Sequence, residues 1–301
     1  MKRKKIYVIG SSNTDMVIKS EKLPAPGETV IGGNFLMNAG GKGANQAVAA
    51  AKLGAEVIFV SKIGNDIFGN QAIAGFKDVG INTDFVFVDH ENPSGIALIL
   101  VDGKGENSIS VASGANGNLK ISEVAQAIEL IEENDIVLLQ LEIPISTVEA
   151  TIKHSFEKKA IVILNPAPAQ MLDESIFQFI HLITPNETEA ELLTGVKVSD
   201  LATAEMAANI FHERGIPNVI ITLGSKGAFF HCKNMQMLIP APIVQAIDST
   251  AAGDVFNGAL TVLLSEGHSI ENAIVFACKA ASISVTRMGA QASAPTRDEL
   301  N

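Results

Sequence analysis

The stretch from Asp248 to Leu260 reads DSTAAGDVFNGAL, small and polar up to Gly253-Asp254 and apolar beyond, as at the start of a helix. The first amides of a helix have no intrahelical partner and carry part of the positive end of its dipole. A glycine there leaves a phosphate room to approach those amides. Asp254 would repel that phosphate, but it is well placed to take the proton of a hydroxyl attacking it. Phosphoryl transfer asks for that set: alignment, charge neutralisation at the transferring group and a proton acceptor. A plainer reading stands beside this one. An aspartate in a first helical turn is favoured by about 0.3–1 kcal/mol through the dipole alone, so Gly253-Asp254 could be only a cap.

Other polar residues fall at the ends of apolar runs. Asn13 and Asp15 follow KIYVIG, Gly41, Lys42 and Asn45 open a helix, and Glu142 ends DIVLLQLE. Asn186 and Glu189 follow HLITP, and Thr222 and Gly224 end NVIITLG. Each has an ordinary alternative: a turn at Asn13 and Asp15, a surface lysine at Lys42, a helix start at Asn186–Glu189, plain packing at Cys278. Familiar motifs fail. Lys42 of NAGGKGAN is followed by Gly43 where a P-loop needs Ser or Thr, and no G-x-G-x-x-G, H-E-x-x-H or G-x-S-x-G occurs.

The elements that must hold these residues alternate. KIYVIG, EVIFVSKIG, DIVLLQLE, AIVILNP, HLITPN and NVIITLG read as strands buried on both faces. ANQAVAAAKLGA, SEVAQAIELIEE, STVEATIKHSFEKK and AEMAANIFHERG read as helices, with Gly54 and Gly215 at C-terminal caps. This predicts an α/β fold with a mainly parallel sheet between helices and a site outside the carboxyl ends of the strands. Residues 16–37 and 95–112 break the rhythm and read as strands of a small accessory sheet, a lid or a dimer surface, within one domain of 1–301. With 22 basic and 33 acidic residues the net charge is −11, which argues against nucleic acid or an anionic membrane as partner. Cys232 and Cys278 have no metal-ligand spacing, no run approaches the roughly 20 apolar residues of a membrane span, and the N-terminal apolar run is short for a signal peptide. A cytoplasmic location is expected.

Taken together, GGKGANQAVAAAKLGA, LNPAPA, ITPNETEAELLTG, ITLGSKGA, DSTAAGDVFNGAL and VTRMGAQ resemble the PfkB family of carbohydrate kinases, from about Ile6 to Pro295. The resemblance implies a ribokinase-like three-layer α/β/α sandwich with a small β-sheet lid, and ATP-dependent phosphorylation of D-ribose at its 5-hydroxyl. Another sugar of the family's range (2-deoxyribose or fructose) and a non-catalytic sugar-binding regulator are the alternatives. By the same resemblance Asp254 is the catalytic base, and Ala252 and Gly253 form the anion hole. Asn13, Asp15, Gly41, Lys42, Asn45 and Glu142 bind sugar with Asp254. Asn186, Glu189, Thr222, Gly224 and Gly227 bind nucleotide, Glu189 and Asn186 in association with Mg2+. A K+ site is implied at Asp248, Thr250, Ser284, Arg287, Gly289 and Ser293, as is a homodimer formed through the lid strands. Two positions depart from the family: Cys278 replaces a histidine or asparagine near the adenine, and Thr14 replaces an alanine.

Overall fold

Which way each side chain points along the central strands decides the layering. Tyr7 and Ile9 fall in one buried apolar cluster, and Ile6 and Val8 fall in another. Val137 and Leu139 divide from Ile136 and Leu138 in the same way. Period-2 alternation with both sets apolar requires cover on both faces. Each side chain so buried contributes roughly 1.5–3 kcal/mol.

A computed structural model describes residues 4–300. Its strands are β1 (Ile6–Ile9), β2 (Asn13–Lys19), β3 (Asn34–Gly40), β4 (Val57–Gly64), β5 (Asn82–Asp89), β6 (Gly95–Val101) and β7 (Asn107–Ala112), then β8 (Ile136–Leu139), β9 (Ile161–Leu164), β10 (Leu182–Ile183), β11 (Asn218–Thr222), β12 (Ala228–Cys232) and β13 (Met235–Ile239). The helices are α1 (Lys42–Lys52), α2 (Ile67–Asp78), α3 (Ile121–Ile128), α4 (Ile145–Glu157), α5 (Glu187–Thr194), α6 (Leu201–Glu213), α7 (Ala252–Ser265) and α8 (Ile270–Ser284). The main sheet runs β13-β12-β11-β10-β9-β8-β1-β4-β5, parallel from β11 to β5 and antiparallel at β12 and β13. α3 to α6 cover one face; α1, α7 and α8, with Phe76 of α2, cover the other. Gly54 and Gly215, just past α1 and α6, have φ of 85° and 99°, the left-handed stop expected of them.

The fold is the expected α/β sandwich with a smaller sheet. β5, the β12–β13 hairpin, α2 and α8 are additions to the sequence reading. The four-stranded second sheet runs β3-β2-β6-β7, with β2 and β6 parallel and the other pairs antiparallel. It also corrects one alternative: Asn13 and Asp15 do not form a turn but stand two apart on β2, on one face of this sheet. Among the described residues, no helix is long and apolar enough to cross a membrane.

The strand order reverses between β1 and β8, because the chain builds one way through β4 and β5 and the other way through β9 to β11. The crevice outside the carboxyl ends at such a point is where open α/β sheets bind ligands. Residues 10–13 leave β1 there, and residues 140–142 leave β8.

Candidate active site

Two helices present their N-termini to this crevice, and their amides differ in one decisive respect. At α1, Lys42 N–H donates to Glu142 Oε2 at 3.0 Å and Ala44 N–H to the Ser11 carbonyl at 2.8 Å. Gly43 N–H lies 3.5 Å from Ser11 Oγ, which itself donates to Glu142 Oε2 at 2.5 Å. The α1 terminus is thus plugged by protein, which is the structural reason NAGGKGAN is no phosphate loop. Its glycines serve close approach instead. A Cβ on Gly43 would meet the Gly10 backbone at 2.6 Å, and Gly41 turns with φ of 89°. At α7, Ala252 N–H reaches the Ser249 carbonyl at 3.2 Å, but the amides of Gly253 and Asp254 have no acceptor among the described residues. Ala251 before them holds a left-handed φ of 60°, a strained setting for a non-glycine residue. A Cβ on Gly253 would meet nothing within 4 Å, so the space above these amides is open. An anion fits there and not at α1.

The Asp254 carboxylate, 6% exposed, stands beside those free amides. Asn45 Nδ2 donates to its Oδ2 and Gln46 Nε2 to its Oδ1, both at 2.9 Å. These donors reach it because α1 and α7 pack closely: a Cβ on Gly258 would lie 2.7 Å from the Ala49 methyl and 2.8 Å from the Gln46 carbonyl. Burial pushes the Asp254 carboxyl above the usual carboxylate range, opposed by Lys42, Asn45 and Gln46. Lys42 sits within the field of Asp254, Glu142, Glu189 and Asp15; burial works against its charge, and the four carboxylates outweigh it, so its pKa is raised. Asp15, 9% exposed, is raised to about 6 by burial and then by Glu142 and Asp254. No protein donor reaches its carboxylate among the described residues, so its oxygens remain available to hydroxyls. A Cβ on Gly40 would collide with that carboxyl.

Asn186 and Glu189 form a capping box on α5: Asn186 Oδ1 accepts from Glu189 N–H at 2.8 Å and Glu189 Oε2 from Asn186 N–H at 2.9 Å. The plainer reading of this pair is therefore realised. It does not exhaust Glu189, which burial raises in pKa and which couples to Lys42 and Asp254 across the crevice. Thr222 ends β11 beside Asn186, the two joined in a parallel bridge, and Gly224 and Gly227 form the turn that follows. Cys278 is only 4% exposed, inside the α7–α8 apolar cluster, and burial lifts its thiol to about 11.

Of the implied cation positions, Asp248 ties two segments together, accepting from Thr250 N–H at 3.0 Å and Gly289 N–H at 2.9 Å. Asp248 N–H reaches the Val285 carbonyl at 3.1 Å, and Arg287 N–H the Ser284 carbonyl at 3.0 Å. The Arg287 guanidinium turns to Glu299, and Ser293 Oγ donates to the Ala290 carbonyl at 2.8 Å. No cluster of three His, Cys, Asp or Glu that could hold a metal ion exists among the described residues, so a cation in this loop would have to draw mainly on backbone oxygens. In the same loop the carbonyls of Gln291 and Ala294 are already engaged by the Lys52 ammonium at 2.8 and 3.1 Å.

Several participants were not singled out as site residues in the sequence, although Gln46, Asn165, Thr184 and Asn257 lie within the signature stretches quoted above. Gln140 donates to Gln46 Oε1 at 2.6 Å, Gln46 also donates to Asn165 Oδ1 at 3.0 Å, and Asn165 donates to the Thr184 carbonyl at 3.0 Å. Thr184 Oγ1 donates to Asn257 Oδ1 at 2.6 Å, and Asn257 to the Gly253 carbonyl at 2.8 Å. This buried chain links the ends of β8, β9 and β10 to the first turn of α7. The local signal for its strand-end members is the polar residue closing each apolar run, as in IVLLQ, IVILN and LIT.

An open helix terminus with a buried carboxylate beside it, near further carboxylates and amides able to bind hydroxyls, is the arrangement a phosphotransferase acting on a polyhydroxylated acceptor requires. The chain belongs to the pfkB family of carbohydrate kinases, whose model matches residues 3–297. It is 48% identical over 297 residues to a ribokinase of Haemophilus influenzae, covering 99% of this chain and 97% of that one. It is 37% identical over 297 residues to a deoxyribokinase of Salmonella typhi, covering 98% and 97%. A solved structure of Arabidopsis thaliana ribokinase complexed with ribose and ATP superposes with a TM-score of 0.88 at 32% identity, covering 100% of this chain and 98% of that one.

Proposed function

We propose that the protein transfers the γ-phosphoryl group of ATP to the 5-hydroxyl of D-ribose, giving D-ribose 5-phosphate and ADP. The observation that carries this reading is the pairing of unoccupied Gly253 and Asp254 amides with the buried Asp254 carboxylate at one helix terminus. Asn13, Asp15, Lys42, Asn45 and Glu142 hold the sugar hydroxyls. Asp254, oriented by Asn45 and Gln46, accepts the proton of the attacking hydroxyl. The free amides of α7 bear the charge that develops on the transferring group, with Ala252 and Gly253 shaping the hole. Thr222, Gly224, Gly227 and Asn186 line the nucleotide side, with Cys278 packed behind it.

Mg2+ bound with the nucleotide would supply charge neutralisation at the phosphate oxygens, and Glu189 with Asn186 is the pair that would hold it through water. Asp248, Thr250, Ser284, Arg287, Gly289 and Ser293 are the positions that would hold K+, mainly through backbone oxygens, and a cation bound there would favour the ordered form of the segment leading into α7. We infer a cytoplasmic homodimer. Support for the location is the pair of free thiols, Cys232 and Cys278. Support for the dimer is the second sheet, which leaves Ile18, Phe35, Met37 and Leu98 exposed on one face.

A second substrate, 2-deoxyribose, is favoured by the Salmonella relative. A panel of ribose, 2-deoxyribose and fructose with ATP decides between them: ribose gives the highest kcat/KM, and a preference for deoxyribose overturns the assignment. Ribose-dependent ADP release excludes a silent sugar-binding protein.

A further inference from the structure

Asn116 has been given no role so far, yet it is 1% exposed and sits on the short turn that leads out of β7, beside the sugar groups. Its carboxamide clasps the chain leaving β1. Oδ1 accepts from Ser12 N–H at 2.9 Å, and Nδ2 donates to the Ser12 carbonyl at 3.0 Å. The backbone therefore fixes which end of this amide is nitrogen, because the reverse orientation would set donor against donor and acceptor against acceptor. The second Nδ2 hydrogen goes to Asn13 Oδ1 at 2.7 Å. It follows that Asn13 must offer its oxygen to Asn116. Its own Nδ2 has no acceptor among the described residues, and Asn13 lines the cavity of about 390 Å³ that Asn116 and Glu142 also bound, where that nitrogen can meet a ligand. Gly95 allows this clasp, since a Cβ there would collide with Asn116 Nδ2 and Asn13 Oδ1.

We propose that Asn116 is a positioning residue that sets the hydrogen-bond polarity of the sugar pocket, holding Asn13 as a donor beside the acceptor-only carboxylates of Asp15 and Glu142. The inference rests on the sugar-kinase reading of this site. A pocket with one fixed donor among acceptors accepts a hydroxyl that gives its proton to a carboxylate and takes the Asn13 N–H on its lone pair. An analogue lacking that hydroxyl leaves buried groups unpaired.

The test is Asn116→Asp, alone and combined with Asn13→Ala. Aspartate keeps the acceptor for Ser12 N–H but has no hydrogen for Asn13, which then turns its oxygen to the pocket. The KM for ribose rises about tenfold or more, kcat changes by less than about threefold, and the KM for ATP holds within about twofold. In the Asn13→Ala background the same change adds less than about twofold to KM for ribose, because there is no amide left to orient. An unchanged KM in the single variant, or an equal rise in both backgrounds, overturns the proposal. NMR hydrogen exchange on the unaltered protein gives an independent readout that needs no substrate and no variant to fold. The Asn116 side-chain amide protons are protected and those of Asn13 exchange freely; the opposite order overturns the proposal. Failure of the wild type to phosphorylate ribose would strike the functional reading instead, and the exchange pattern would still decide the role of Asn116.

Discussion

Two buried carboxylates do opposite work in this site, and their pKa values show why both are tolerated. Asp15 is raised to about 6 by burial and then by Glu142 and Asp254, with Lys42 opposing them only in part and no hydrogen-bond donor on its carboxylate among the described residues, so its charge costs stability that a ligand's hydroxyls can offset. The folded form holds its proton more tightly than the unfolded chain does. The destabilisation is thus full above pH 6 and fades as the pH falls toward the unfolded value near 3.8. Asp15→Asn is expected to stabilise the ligand-free protein at pH 8 by about 1 kcal/mol or more while raising the KM for ribose sharply. Denaturant melts at pH 8 and pH 4.5 check this, since the gain must shrink at the lower pH. Asp254 is also raised by burial, but Asn45 and Gln46 hold its ionised form in place. An acceptor must be unprotonated, so kcat/KM, which reports the free enzyme, falls as the pH drops through that elevated pKa, above the usual carboxylate range.

The first turn of α7 is built for a ligand at the expense of helix stability. Alanine is the better helix former by about 0.5–1 kcal/mol in a helix interior, and a Cβ at Gly253 would meet nothing, so Gly253→Ala is predicted to leave the melting temperature unchanged or slightly raised. The same methyl stands where the phosphoryl group must come, so kcat/KM falls by at least about tenfold. A variant both stable and active would remove this terminus from the mechanism. Gln46 acts between elements, joining α1 to α7 and to the end of β9. Gln46→Leu strips a donor from Asp254 and leaves the Gln140 amide and Asn165 Oδ1 without their partner, costing about 1–3 kcal/mol. It also moves the acid limb of kcat/KM to higher pH, because the lost donor favoured the charged form. The composition of DSTAAGDVFNGAL made the open terminus visible in the sequence. The plugged one at α1 was not, because Glu142 closes it from 100 residues away.

At the scale of the molecule, the alternation of apolar runs and amphipathic segments was sufficient for a parallel sheet with helices on both faces, because period-2 strands with two apolar faces admit little else. The antiparallel β12–β13 edge was harder to see. MQMLI has exposed and buried positions mixed along it, and nothing local specifies an edge pairing. A turn at Asn13 and Asp15 stood as an alternative in the sequence because the pairing of β2 with β3 and β6, which makes them strand residues, is a long-range event. Phe35 and Leu98 are 60% and 54% exposed on one face of the second sheet, a surface that a second copy of this sheet would bury. Replacing both with aspartate is expected to turn a dimer into a monomer in sedimentation velocity, with the melting temperature of the main body little changed. Every part of this architecture converges on Asp254, and the most direct measurement is the turnover of Asp254→Asn beside its equilibrium binding of ribose and ATP. Ribose and ATP are expected to bind within a few-fold of wild type while kcat falls by about 10²–10⁴. A variant that binds both and keeps a near-normal kcat would contradict the assignment of this carboxylate as the proton acceptor.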